Sequence, residues 1–222
     1  MLFLDLEIYV PAAERAGGHA SMVADPTREA HTFLGGCFVS KRFSEPVPDA
    51  PAFQHLWIWD FDSEKELLAA IVDLFELEWQ KQFAETTWIL GKPATDLVVC
   101  GTGIAKFDMP ALFYRAQALG VGSPSAMYEL FLKARSIDLA HTASFLFPEE
   151  PVLYPKTARE MGGRLRIGPK KGSSTNVWDM YDKGDYSRIA NRTQDEVHTV
   201  LNIYRELQLR IQQLPTPGRH RG

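Results

Sequence analysis

Cysteine is scarce in this chain, with only Cys37 and Cys100 among 222 residues. Both sit inside apolar, strand-like runs, FLGGCFV and LVVCG, so buried free thiols are expected in place of a disulfide framework or a thiolate metal site. No apolar run approaches the roughly 18 residues needed to cross a bilayer, which excludes a helical membrane span. The start, MLFLDLEIYV, has no basic leader and already reads as a strand. No signal peptide is therefore expected, and cytoplasmic residence follows by default. Positive charge is not in excess either: 24 Lys and Arg against 28 Asp and Glu give a net charge of -4. That balance argues against a protein that coats nucleic acid by bulk electrostatics, and leaves room for one that grips a short stretch of it. Internal repeats and low-complexity tracts are also missing.

What is present fits a single domain over residues 1–212, followed by a basic tail, 213–222, expected to be disordered. Hydrophobic residues make up 45% and charged residues 23%, enough for a full core. Residues 2–10 read as a strand, and residues 11–32, rich in Ala, Gly and charge, as a long loop or hairpin excursion. Residues 33–39 and 55–61 are strand candidates across a Pro-rich turn, which suggests an antiparallel meander. Ser63 then caps a helix, with Glu66 completing a capping box, and the apolar spacing through Leu67, Leu68, Ile71, Leu74, Phe75 and Leu77 carries it toward Phe83. Residues 97–101 form a short apolar strand, 109–119 a helix closed by Gly120, and 136–139 a further strand followed by a helix. A brief helix over 157–161, one or two turns over 176–181 and a long amphipathic helix over 195–212 complete the order. The fold class is α/β: a mixed sheet, an antiparallel meander plus parallel strands, with helices on its faces.

The chemistry is carried by carboxylates. Strand side chains alternate, so Asp5 and Glu7 share one face of the first strand while Leu4, Leu6 and Ile8 take the other. Two anions this close in so apolar a strand repel each other and lose hydration unless a cation joins them. A hard divalent ion such as Mg²⁺ is the natural candidate, and an edge strand facing water is the alternative. Asp108, before Met109 and Pro110, reads either as a helix N-cap or as a third acid of the same site. Asp195 lies near the start of the last helix, where the helix dipole favours an anion.

As a set, Asp5, Glu7, Asp108 and Asp195 resemble the DEDD family of 3′-to-5′ exonucleases in motif order: D-x-E on the first strand (DLEIY), F-D before a helix (AKFDMPALFYRA) and an Asp on the last helix (RTQDEVHT). More specifically, the chain resembles predicted exonucleases related to the proofreading domain of B-family DNA polymerases. The segment KTAREMGGRLRIGPKKGSSTNVWDMYDKGDYSRIANRTQDEVHTVLNIYREL follows their order of a short helix, a Gly-Lys loop, V-W-D-x-Y, a further Gly and an acidic helix. The likeness covers residues 2–207 and leaves residues 11–32 unmatched. It departs at Ile8, where the family usually has Thr, and at Gly103, Ile104 and Ala105, where a polar residue commonly precedes F-D. It departs again at Asn191 and Ala190, the places four and five before Asp195 that hold Tyr or His in the two subgroups. Neither an amide nor a methyl group serves as a base near neutrality.

The resemblance implies a ribonuclease H-like fold and a metal-dependent exonuclease acting on the 3′ ends of single-stranded DNA. Two divalent ions, Mg²⁺ or Mn²⁺, would be held by Asp5, Glu7, Asp108 and Asp195, activating water and stabilising the leaving 3′ oxygen. Trimming of RNA ends is the near alternative. A nucleic-acid-binding protein that kept the acids and lost the base is the alternative from another class. Accessory roles fall to Asn191, to His198 as a substitute base or a solvent-facing residue, to Asp138 as a support for the ligands, and to Lys106 as a phosphate contact or a surface lysine. Arg166, Lys170 and Lys171 in the Gly-Lys loop are either nucleic-acid contacts or an ordinary surface turn. Trp178, beside that loop, is either core or a platform for a base.

Overall fold

A computed structural model of the chain describes residues 1–15, 24–91, 96–142, 157–167 and 176–213. Five strands form one sheet: β1 (Leu2–Tyr9), β2 (Thr32–Ser40), β3 (Gln54–Trp57), β4 (Val98–Gly101) and β5 (Arg135–Asp138). Their spatial order is β3-β2-β1-β4-β5. The β1–β2 and β2–β3 pairs are antiparallel, whereas β1–β4 and β4–β5 are parallel. The meander and the crossover units expected from the sequence therefore meet at β1, which is buried at the centre of the sheet.

Alternation along β1 decides what each face does. Leu2, Leu4, Leu6 and Ile8 join a large core with Leu67, Leu68, Ile71 and Phe75 of α1 (Glu64–Leu90) and with Met109 and Leu112 of α2 (Asp108–Ala118). Phe3, on the opposite face, packs with Val197, Val200, Leu201 and Tyr204 of the last helix. Asp5 and Glu7 share that second face with Phe3, so the strand's period of two points both acids at the last helix.

The remaining helices are α3 (Pro124–Met127), α4 (Leu139–Thr142), α5 (Ala158–Leu165), α6 (Asn176–Asp182) and α7 (Tyr186–Gln212). With helices over both faces of a mixed sheet, the molecule is an α/β fold consistent with the ribonuclease H-like class. No helix among the described residues is long and apolar enough to cross a membrane.

Ser63 caps α1 as expected, its hydroxyl accepting the Glu66 N–H at 3.2 Å while Glu66 reaches back to the Asp62 N–H. The helix continues to Leu90 and stops at Gly91 in the left-handed conformation, one turn and more beyond the sequence expectation. Both cysteines are free and buried. Three boundaries differ. β3 ends at Trp57 because the chain turns into a 3-10 helix, Ile58–Asp60; there Trp59 stacks between Trp57, at 5.0 Å, and Tyr186, at 4.6 Å. α5 runs through the Gly162-Gly163 pair, since Ile167 N–H bonds the Gly162 carbonyl and closes the end only at Arg166. α7 begins nine residues before Asp195. Its first turns look polar in sequence, but Ile189 and Thr193 are fully buried there and hold the helix to the sheet.

At the carboxyl end of β1 the ladder slips between Glu7 and Ile8: Glu7 faces Gly35, Ile8 faces Phe33, and Leu34 is the extra residue of a β-bulge. Gly35 has a φ of 108°, and a Cβ there would lie 2.0 Å from the Leu56 carbonyl oxygen. Only glycine fits this backbone.

Candidate metal centre

Three elements bring the acids together: the centre of β1, the first turn of α2 and the first half of α7. Asp5, Glu7 and Glu196 each offer a carboxylate oxygen, and these oxygens lie within 4.8 Å of one another. Glu7 is buried, while Asp5 and Glu196 are only partly so, which leaves the cluster open on one side. Asp108 is buried beside it, with its Oδ1 accepting the Leu6 backbone N–H at 3.1 Å. It is the first residue of α2 and makes no cap; that place belongs to Phe107. Asp138, at the end of β5, stands behind Asp108. Its Oδ1 accepts from Gly103 N–H at 2.8 Å and Ala140 N–H at 3.0 Å, and its Oδ2 from Ala105 N–H at 3.4 Å. Asp138 thereby pins the β4–α2 loop that delivers Asp108.

The electrostatics follow from burial and crowding. Burial, then the neighbouring Glu196 and Glu7 carboxylates, push the Asp5 carboxyl well above the usual carboxylate range. Burial lifts Glu7 to about 7, against the opposing pull of Arg192. Asp108 also reaches about 7, because burial outweighs the hydrogen bond from Leu6.

Among the described residues, a cation enters the cluster. Arg192 reaches it from α7, with Nη1 donating to Glu7 Oε1 at 2.6 Å and Nη2 lying 3.1 Å from Glu196 Oε1. The Thr193 hydroxyl lies 3.1 Å from Glu7 Oε1. Arg192 and Glu196 stand four residues apart on one face of the helix.

The placement of Asp195 is corrected by this geometry: its side chain is exposed to solvent, and α7 presents Glu196 to Asp5 and Glu7 instead. Nor does Asp195 lie near the helix start, so the dipole argument lapses. The helical phase explains the exchange. Counting from the buried Thr193, Asp195 lies about 200° around the helix and Glu196 about 300°, back toward the sheet. Asn191 is exposed as well. Relative to Glu196, the residue four positions earlier is Arg192. Sequence reasoning missed both residues because the family pattern expects Asp; the R-x-x-x-E spacing in phase with Ile189, Thr193, Val197 and Val200 was the available signal.

The other candidates are placed as follows. His198 packs edge-on against Phe53 at 6.4 Å, away from the acids. Lys106 is exposed on the β4–α2 loop. Trp178 is core: it is buried, and its indole N–H donates to the Ile8 carbonyl at 2.8 Å. Arg166 is exposed at the end of α5 with φ 56°. Lys170, Lys171 and the basic tail from residue 214 lie outside the described residues.

An all-oxygen donor set of three carboxylates, with two more behind it, suits a hard divalent ion in chemistry. No protein-family model matches the chain, and no curated protein sequence does. Among solved structures, the chain is similar in fold to the family B DNA polymerase from the hyperthermophilic archaeon Pyrobaculum calidifontis, with a TM-score of 0.60 at 17% identity. The match covers 93% of this chain and 24% of the polymerase, so this chain spans about a quarter of that protein's length.

Proposed function

We propose that the protein is a metal-dependent 3′-to-5′ exonuclease that removes nucleotides from the ends of single-stranded DNA. The observation that carries this reading is the convergence of the Asp5, Glu7 and Glu196 oxygens within 4.8 Å, beside Asp108. Two supports stand beside it: the order of acidic motifs along the chain resembles the exonucleases related to B-family proofreading domains, and the fold is shared with a family B polymerase.

On this reading Asp5, Glu7 and Glu196 hold Mg²⁺ or Mn²⁺, and Asp108 completes a second position. The ions supply water activation and charge stabilisation at the leaving 3′ oxygen. The chain's own contributions are positional. The sheet centre fixes Asp5 and Glu7 rigidly, Asp138 sets the loop that carries Asp108, and the exposed Lys106 lies on that loop, where it can meet a phosphate. End-labelled DNA and RNA oligonucleotides incubated with Mg²⁺, Mn²⁺ or EDTA test the proposal on a sequencing gel. Stepwise shortening from the 3′ end of linear DNA, absent in EDTA and absent on circles, is expected. Cleavage of circles at a comparable rate, or none of any strand, would sink it. Faster shortening of the RNA strand would make RNA ends the substrate.

A second reading rests on Arg192. It stands four residues before Glu196, the spacing at which the resembling family's tyrosine subgroup places its base, and a guanidinium accepts no proton. A protein that binds strand ends in a metal-dependent way without cutting them fits that substitution. It would show binding in a gel shift and no shortening.

A further inference from the structure

We propose that Arg192 is a resident counter-cation of the carboxylate cluster and competes with a divalent ion for Glu7 and Glu196. The inference rests on the metal-site reading above and adds a control to it. Its ground is the way the guanidinium is held. Nη1 donates to Glu7 at 2.6 Å and Nη2 meets Glu196 at 3.1 Å, so Arg192 engages two of the three carboxylates whose oxygens converge.

Arg115 shows what a purely structural arginine looks like in the same molecule. Its Nε and Nη2 each donate to Glu64 at 2.6 Å, and its Nη1 donates to the Arg28 and Pro26 carbonyls at 2.9 and 3.3 Å. Every nitrogen is engaged, partly by backbone that cannot leave. Arg192 Nε, by contrast, is buried with no hydrogen-bond partner among the described residues. The guanidinium is thus anchored by the acids' charge and little else, and an ion of higher charge density can take that charge over. An arginine keeps its proton across the working pH range, so Arg192 leaves the acids only by moving its head group.

The consequence is a site that remains folded when empty and binds its ion weakly for its number of acids. Removing Arg192 exchanges those properties: the empty cluster loses this counter-cation, and the ion meets one rival fewer.

Calorimetric titration with Mn²⁺ alone tests this on the full chain, wild type against Arg192→Gln, beside thermal melts in EDTA. Arg192→Gln is expected to bind Mn²⁺ about tenfold more tightly or better, given the size of a charge interaction at this range. It should also melt lower in EDTA and recover in Mn²⁺. If wild type binds Mn²⁺ and Arg192→Gln binds it equally or more weakly, the counter-cation proposal is overturned while the metal site stands. If neither protein binds Mn²⁺, both readings fall. Should Arg192→Gln fold only with Mn²⁺ present, that dependence is the expected sign, and resistance of the bound ion to graded chelator replaces the calorimetry. A variant that folds under neither condition overturns the proposal, because Mn²⁺ should restore the lost charge.

Discussion

Exchanging the two neighbouring acids of α7 for their amides, Glu196→Gln and Asp195→Asn, separates the geometry of the cluster from the motif that the sequence displays. Without metal, the change at Glu196 nearly cancels. Each like-charged neighbour within 4.8 Å costs at least about 3.5 kcal/mol at an effective dielectric near 20, so two ionised neighbours cost about 7 kcal/mol or more. The Arg192 contact at 3.1 Å returns about 5 kcal/mol on the same scale. Protonation of Asp5 narrows the gap further, so Glu196→Gln should melt within a few degrees of wild type in EDTA.

Metal then divides the variants. At Mn²⁺ a hundredfold above Kd, wild type gains about 2.7 kcal/mol, or roughly 5–10 °C for a chain of this size. A hundredfold weaker site at the same Mn²⁺ gains only about 0.4 kcal/mol, and a tenfold weaker one about 1.4 kcal/mol. Glu196→Gln should therefore shift by only about 1–6 °C, while Asp195→Asn keeps the wild-type shift. Differential scanning fluorimetry with and without Mn²⁺ reads all three proteins. Loss of the shift in Asp195→Asn with its retention in Glu196→Gln would refute the assignment of Glu196 to the cluster.

Further expectations concern pH, backbone and support. Glu7 and Asp108 hold folded pKa values near 7, above their unfolded values, so the folded state binds the extra protons between about pH 4 and 7 and metal-free stability falls as pH rises through that window. Asp108→Asn removes one such group; its melting temperature should gain on wild type between about pH 4 and 7, and parallel curves would contradict the burial argument. Gly35→Ala should lose about 3 kcal/mol or more in urea unfolding, since the φ of 108° is nearly closed to other residues and the added Cβ meets the Leu56 carbonyl. A loss under about 1 kcal/mol would mean the bulge yields easily. Asp138→Ala leaves three backbone N–H groups without their acceptor and should cost about 2–4 kcal/mol. Asp138→Asn, which keeps an acceptor oxygen, should cost less.

Much of this was legible from local pattern. The alternation in LFLDLEIY assigned faces to every residue of β1, because a strand's period of two leaves no other choice. Ser63 marked the start of α1, its hydroxyl taking the Glu66 N–H, while Glu66 takes the Asp62 N–H in place of the Ser63 N–H of a full capping box. The last helix was harder. Thr193 is buried in the place of an apolar residue, so the helical rhythm before Asp195 was hidden and the start fell nine residues late. The chemistry turns on that start: an Asp that opens a helix is poised by its place, whereas one in its third turn is placed only by phase. Asp108 shows the converse. The sequence offered a cap or a third acid; the structure gives the cap to Phe107 and sets Asp108 against the Leu6 N–H, a long-range contact that no local pattern encodes.

The pairing of β1 with its neighbours places one thiol on either side of the acid-bearing strand, Cys37 opposite Asp5 and Cys100 opposite Phe3. Both are fully buried; burial, with the added repulsion of Asp5, pushes the Cys37 thiol up to about 12. A thiol so protected is silent toward alkylating reagents until the sheet opens around it. The natural protein thus carries two chronometers that need no engineering. The rate at which each sulfur is captured, followed by mass spectrometry, times the parting of β2 and of β4 from β1 separately. A cation that ties Asp5 to α7 should slow the capture of Cys37 more than that of Cys100.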